Sequence, residues 1–485
     1  MAYGIERFFL LSYCLSCCWL AARSDLRVVR QWDELDFVYP SEAAQKSALQ
    51  NGYYIQGNNV PIDVDVQHRQ GDLPSRIFVT NPRFDSGRPV TLGTVDEQGK
   101  INAYPDYSWH DNQGSNCDGL TSVFRVAIDE CSRMWVIDTG KIGEKQHCPP
   151  QLLAFDLNTD ALIYRHKVNT TISTRPSLFI TPVVDVRGSF SGDCSDTFVY
   201  VADVSGFGIL VVDVANDRSW WTTHRLMFPF PSKGRFTIDG ESFDLMDGVL
   251  GMALSPLRNS EDRYLYFHAL ASTTENVVRT AVLRNSSYTE DPNVDPDAIN
   301  VFPKERPNQA AAEAMDRNGI MYFGLMEPPS IWCWNSATEY SQRNFHRLAI
   351  NKETLQFASG VKVVNNLKGE QELWVLTSSF QRVMTGSLNS NRVNFRIHAE
   401  KLSKLLRNSP CRNFPKDREH GYQEPSAIAD VRELQVPPSD DDAFFILYSS
   451  WNVIEISMTN LLLNKKRIND KTVIYSLKQV FIFIP

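Results

Sequence analysis

The chain has 485 residues and carries 49 Lys and Arg against 57 Asp and Glu, a formal net charge of −8. That balance excludes the basic surface on which nucleic-acid binding depends, while it suits solubility and tolerates a cationic small ligand. Its 10 Trp, 27 Phe and 17 Tyr are enough rings to fill the spaces between packed sheets.

Read in chain order, the first element is a secretory leader. Arg7 supplies a positive start, Phe8 to Leu20 an apolar run too short for a membrane span, and Ala21-Ala22 small residues for cleavage. Residues 1–22 are therefore expected to be a signal peptide, giving a secreted, extracellular protein with no membrane association after cleavage. Cys14, Cys17 and Cys18 leave with it, and six cysteines remain: Cys117, Cys131, Cys148, Cys194, Cys333 and Cys411. An even number in an exported chain implies disulfides, with connectivity left open by the spacing. None forms a CxxC pair, so no zinc site is expected. Asn169-Thr170-Thr171 and Asn285-Ser286-Ser287 are glycosylation sequons in polar, loop-like stretches.

Ser41 to Asn51 reads as a short helix capped by Ser41 and stopped by Gly52. Then six apolar–aromatic runs each end in a polar turn: Ile77–Asn81, Met134–Asp138, Val199–Asp203, Leu265–His268, Met321–Gly324 and Leu373–Thr377. Their spacing of about 50–65 residues is that of propeller blades or slightly longer. Such repeats bury their faces only by stacking around an axis, so the expected fold is an all-β, six-bladed β-propeller over residues 25–411. The blades are expected from about Leu73 to Ala399, with further strands at 121–129, 152–157 and 206–213 and a terminal helix from Ala399 to Leu406. A tunnel mouth is where this architecture places ligands.

No GxSxG elbow, HExxH or phosphate-binding loop is present, and the nine His are scattered, so neither cofactor nor metal is expected. Asp239-Gly240-Glu241 with Asp244 and Asp247 forms the densest acidic patch. It reads first as turn chemistry, and secondarily as a ligand or calcium site. Asp138 and Asp203 close repeat strands, as turn caps or as carboxylates facing a cationic amine.

Several segments together resemble the insect Yellow/major royal jelly protein family. They are Asp129-Glu130-Cys131-Ser132-Arg133-Met134-Trp135-Val136-Ile137-Asp138-Thr139-Gly140, Cys148-Pro149-Pro150-Gln151, Thr237-Ile238-Asp239-Gly240-Glu241-Ser242-Phe243, Gly251-Met252-Ala253-Leu254-Ser255-Pro256 and Cys333-Trp334-Asn335. The resemblance covers roughly residues 25–411 and implies a secreted six-bladed propeller with disulfides Cys117–Cys148, Cys131–Cys194 and Cys333–Cys411. It also implies a small aromatic amine or catechol-derived ligand in the tunnel, with Asn344 and Phe345 as the ligand-binding candidates. The departure is Glu327-Pro328-Pro329-Ser330, where relatives carry small polar residues. Family members include dopachrome-converting enzymes, amine binders and nutritional proteins. The expected function is therefore binding or isomerising dopa- or dopamine-derived quinones in melanin and cuticle pigmentation. The alternatives are a non-catalytic binder of biogenic amines and a structural or nutritional protein. Dopachrome conversion needs a group that moves a proton, for which His268 and His346 are the candidates. Residues 412–485 depart from the family, lack a blade pattern, and are expected to be read-through rather than a genuine extension.

Overall fold

The computed structural model describes residues 26–71, 73–169, 172, 176–188, 192–257, 262–290 and 297–413. It also describes four segments at 445–449, 452–456, 464–468 and 472–476. The expected leader and the final run 480–485 lie outside the described residues. Two compact units divide at Ile428 and Ala429. In the second, Phe445–Ser449 pairs with Asn452–Ile456 and Asn464–Ile468 with Thr472–Ser476, as two antiparallel hairpins.

The first unit is a six-bladed β-propeller. Its inner strands are Val64–Gln67, Val123–Ile128, Phe179–Val186, Val249–Leu254, Ala310–Met315 and Ala358–Asn365. Each inner strand packs against the next, and the last packs against the first, so the ring is closed. Blades 2 to 5 are four-stranded antiparallel meanders, and blade 1 gains a fifth, parallel strand, Phe37–Val38. All six repeats seen in the sequence are the second strands of their blades. The helix Glu42–Gln50 forms as expected, with the Ser41 hydroxyl accepting from the Ala44 N–H.

Blade 6 takes its outer strand from the other end of the chain: Arg27–Trp32 pairs with Phe395–Lys401. The ring therefore begins well before Leu73. The expected helix from Ala399 is a correction, because residues to Lys401 complete the strand against Glu372 and leave one helical turn, Leu402–Leu405.

The apolar pattern follows from stacking. In blade 3, Val199 and Val201 pack toward blade 2 with Trp135, Leu152 and Ile137, while Tyr200 and Ala202 pack toward blade 4 with Leu265 and Phe267. Side chains alternate across a strand, so a strand covered on both faces must be apolar at successive positions.

Three disulfides lock the array. Cys117–Cys148 closes loops of blade 2, Cys131–Cys194 joins the inner hairpins of blades 2 and 3, and Cys333–Cys411 pins the chain to blade 5.

At the axis, Arg125 ties blade 2 to four others. Its guanidinium donates to Thr181 Oγ1 (2.9 Å) and to the carbonyls of Leu250 (3.2 Å), Ala311 (3.2 Å) and Ser359 (2.6 Å). Arg125 and all four partners lie at β-bulges of their inner strands. A bulge leaves a residue unpaired in the ladder, which frees its carbonyl to turn inward. Blade 1 joins through Asp63, which accepts from the Val126 N–H (3.1 Å) and pairs with Lys362 of blade 6 (3.0 Å). Gly360 makes this approach possible, since a Cβ there would sit 2.7 Å from Asp63 Oδ1. Burial pulls Arg125 down to about 10, against the pull of Asp63 and Glu313, so it stays charged at neutral pH.

Arg125→Met should lower stability by about 3–5 kcal/mol, seen as a reduced urea midpoint, because it strands buried acceptors. An unchanged midpoint would show that blade packing alone holds the ring. Replacing Cys333 and Cys411 by Ser should cost about 2–4 kcal/mol in the same assay.

Candidate functional site

Arg125 crosses the axis and lines one of two cavities. The one at the face where the inner strands end has a volume of about 280 Å3 and is lined from all six blades, including Asp65, Ile128, Val183, Met252, Glu313 and Lys362. Two of its carboxylates, Asp63 and Asp65, are committed to ties between blades. Asp65 accepts from Val66 and Ile128 N–H groups, while burial, opposed by Lys362 and reinforced by Asp63, pushes it up to about 6.

The face where the inner strands begin carries a larger cavity of about 480 Å3. It is lined by Asp239, Lys352, Glu353, Gln356, Ser379, Arg382, Arg392 and Val393. The connector from blade 3 to blade 4 forms one wall as a hairpin, Arg235–Ile238 with Glu241–Asp244. Asp239 and Gly240 at its tip both have positive φ, the backbone that a two-residue hairpin turn requires. Inside the hairpin, Phe236 and Phe243 stack at 5.2 Å, and Phe243 meets Phe380 of blade 6 edge-on at 6.0 Å. Phe380 in turn stacks on Phe357 at 4.4 Å. Each of these two rings directly follows a polar lining residue, Ser379 and Gln356, so the cavity's polar wall is backed by aromatic packing.

Polar contacts clamp the tip. Arg382 Nε donates to Glu241 Oε1 (3.1 Å), Gln356 Nε2 donates to Asp239 Oδ2 (3.2 Å), and Ser387 and Thr385 hydroxyls donate to Glu241 Oε2 (2.6 and 3.0 Å). Gln356 is fixed on its other side, where Oε1 accepts from Gln381 (3.0 Å). Cations from Arg382, Arg392 and Lys352 thus face carboxylates of Asp239 and Glu353 around one space. Such a site can hold an aromatic ligand that carries both an oxygen acceptor and an ammonium or N–H donor. On the same connector, Asp247 lies two residues before inner strand 4, and burial, with Glu144 adding repulsion, pushes its carboxyl up to about 7.

The acidic patch noted in the sequence does not converge on one point. Asp239 and Glu241 make the clamp, Asp244 is exposed beside Arg235, and Asp247 stands apart from both. Asp138 accepts from Thr121, Ser122 and Gly140 N–H groups and from Gln151 Nε2, and Asp203 from Leu178, Gly206 and Trp221. Both are turn caps.

The other expected site residues lie elsewhere. Asn344 ends a short turn outside the third strand of blade 5 and donates to the Glu339 carbonyl (2.8 Å). Phe345 is buried between blades 4 and 5, with its ring 4.7 Å from Tyr340. His346 follows on the outermost strand, opposite Cys333. None of the three lines either cavity. His268 is fully buried in blade 4, where Nε2 meets the Ala310 carbonyl (3.0 Å) and Nδ1 faces Glu275 and Glu313 at 3.2 Å each. Burial and Arg306 lower its basicity, and the two carboxylates outweigh them and raise it.

Arg125, Gln356 and Arg382 were not singled out from the sequence. For Arg125 a signal existed: a lone arginine inside the apolar strand 123–128 must find buried acceptors.

A family described as Major royal jelly protein matches residues 121–411. Major royal jelly protein 9 of Apis mellifera is 32% identical over 440 residues, covering 85% of this chain and 98% of that protein. Dopaminechrome tautomerase of Drosophila melanogaster is 32% identical over 407 residues, covering 81% and 85%. Protein yellow of Drosophila yakuba is 31% identical over 419 residues, covering 84% and 73%.

Removing the clamp with Arg382→Ala should speed amide exchange across Arg235–Asp244 about tenfold, equivalent to roughly 1.4 kcal/mol of local stability. Unchanged exchange would mean that Phe236 and Phe243 hold the hairpin unaided.

Proposed function

The chain belongs to the major royal jelly protein family, and from that premise we propose that it acts in extracellular pigment chemistry, binding and isomerising a dopamine-derived aminochrome. The observation that carries this reading is the 32% identity to a dopaminechrome tautomerase over 81% of the chain. The 480 Å3 cavity supports it chemically. Quinone oxygens would accept from Arg382, Arg392, Lys352 or Gln356, and Asp239 or Glu353 would meet the ring nitrogen.

Isomerisation of an aminochrome to a dihydroxyindole moves protons from ring carbons to the two quinone oxygens. Atoms and electrons balance with no oxidant, so the protein has only to supply a base and to stabilise charge on oxygen. Whichever of Asp239 and Glu353 does not meet the ring nitrogen is the proposed base, since both carboxylates line the cavity. The cations around the cavity are the proposed charge stabilisers.

Secretion is part of the same proposal. The leader at 1–22, three disulfides and the exposed acceptors Asn169 and Asn285 all fit an oxidising, glycosylating export route. Among the described residues no helix is long and apolar enough to cross a membrane.

The test is optical loss of dopaminechrome with purified secreted protein against a heat-killed control. The expected result is saturable loss. Of Asp239→Asn and Glu353→Gln, the one at the base position should lower kcat about a hundredfold, and Gln356→Ala should raise KM with little change in kcat. Calorimetric binding of dopamine or serotonin without turnover would replace catalysis by amine binding in the same cavity. Neither turnover nor binding would leave a structural or nutritional role.

A further inference from the structure

Between blades 4 and 5 lies a cluster that the pigment reaction does not use. His268 stands on the second strand of blade 4, Glu275 in the loop leading to the third, and Glu313 at the bulge of the blade 5 inner strand. Their exposures are 0%, 0% and 5%. One ligand-type atom from each lies within 4.8 Å of the others.

The tautomer is set by geometry. The Ala310 carbonyl can only accept, so its contact with His268 Nε2 at 3.0 Å places a hydrogen on that nitrogen. Nδ1 then points its lone pair at Glu275 Oε2 and Glu313 Oε2, 3.2 Å from each. Three electron-rich atoms cannot converge in a buried space without a positive charge among them. Arg306 supplies one charge to Glu275 and donates no hydrogen bond to Glu313. Glu275 Oε1 and both Glu313 oxygens have no hydrogen-bond donor among the described residues. A proton on Nδ1 would serve the two facing oxygens and leave Glu313 Oε1 and Glu275 Oε1 bare.

We propose that His268, Glu275 and Glu313 form a structural site for a divalent transition-metal ion, with Zn2+ the occupant best matched to one imidazole and two carboxylates. With Zn–N and Zn–O bonds of about 2.0–2.2 Å, neighbouring donors of a tetrahedral ion stand about 3.3 Å apart, close to the 3.2 Å separations found. Glu313, with both oxygens unserved, is the bidentate ligand, which brings the donor set to four. Two further features fit the assignment. Gly251 flanks the imidazole, and a Cβ there would collide with the ring, so the inner strand of blade 4 is hollowed to hold it. Glu313 also lines the 280 Å3 axial cavity, which gives an ion a route inward. The ion would staple the second strand of blade 4 to the inner strand of blade 5, where no disulfide joins the two blades.

The test is elemental analysis of the full secreted chain, purified without a metal-charged column, together with its melting temperature. We expect about one zinc per chain, a lower melting temperature after chelator dialysis, and recovery on adding Zn2+ alone. Glu313→Gln and His268→Gln should each abolish both the metal content and the Zn2+-dependent rise. A chain free of stoichiometric metal, with a melting temperature indifferent to chelator and Zn2+, would overturn the site and leave an imidazolium between the carboxylates. Zinc retained at full occupancy in Glu313→Gln would overturn it as well. The wild-type measurement is decisive even where a variant fails to fold, and it is independent of any turnover of dopaminechrome.

Discussion

One guanidinium sets the geometry of the propeller. A ring of six inner strands leaves a channel whose walls are backbone, and its edges carry carbonyls that need donors. Arg125 supplies them from within the ring. Its planar fork reaches blades 3, 4, 5 and 6 at once. The arrangement works only because each inner strand it touches is bulged there, so that Leu250, Ala311 and Ser359 carry carbonyls outside the ladder. A lysine would offer a point charge in place of the fork, and straight strands would offer no free acceptors.

The two cavities differ in character. At one face Asp63 and Asp65 bridge blades 1, 2 and 6. On the other, the blade 3 to blade 4 hairpin lies over an aromatic layer and encloses a polar space of mixed charge. Chemistry can be varied on that face by changing connector residues, because the inner strands and Arg125, rather than the connectors, close the ring. A propeller that must stay closed can in this way carry a variable site at one mouth.

How far the sequence is readable differs element by element. The six second strands, the Ser41 cap and the all-β class follow from local pattern, since each is buried or capped by neighbours close in sequence or by the next repeat. The outer strand of blade 6 was not readable, because Arg27–Trp32 finds its partner some 370 residues away. The segment at 399–401 reads as helix locally, but pairing with residues 372–374 makes it strand. Phe345 illustrates the ambiguity of an aromatic in a blade, where the sequence cannot say whether a ring faces the tunnel or a neighbouring sheet. In the structure it faces Tyr340 and Phe323. His268 and its carboxylates escaped notice as a group because Glu275 approaches it from a loop and Glu313 from the next blade, at spacings that match no local metal motif.

The sequence by itself determined the architecture and the family, because repeats and dense local motifs are one-dimensional signals. Tertiary structure decided which polar side chains meet: Arg125 with four blades, Arg382 with the hairpin tip, and His268 with two glutamates. Those meetings depend on blade rotation and on where each bulge turns the backbone inward, and neither is encoded by spacing along the chain.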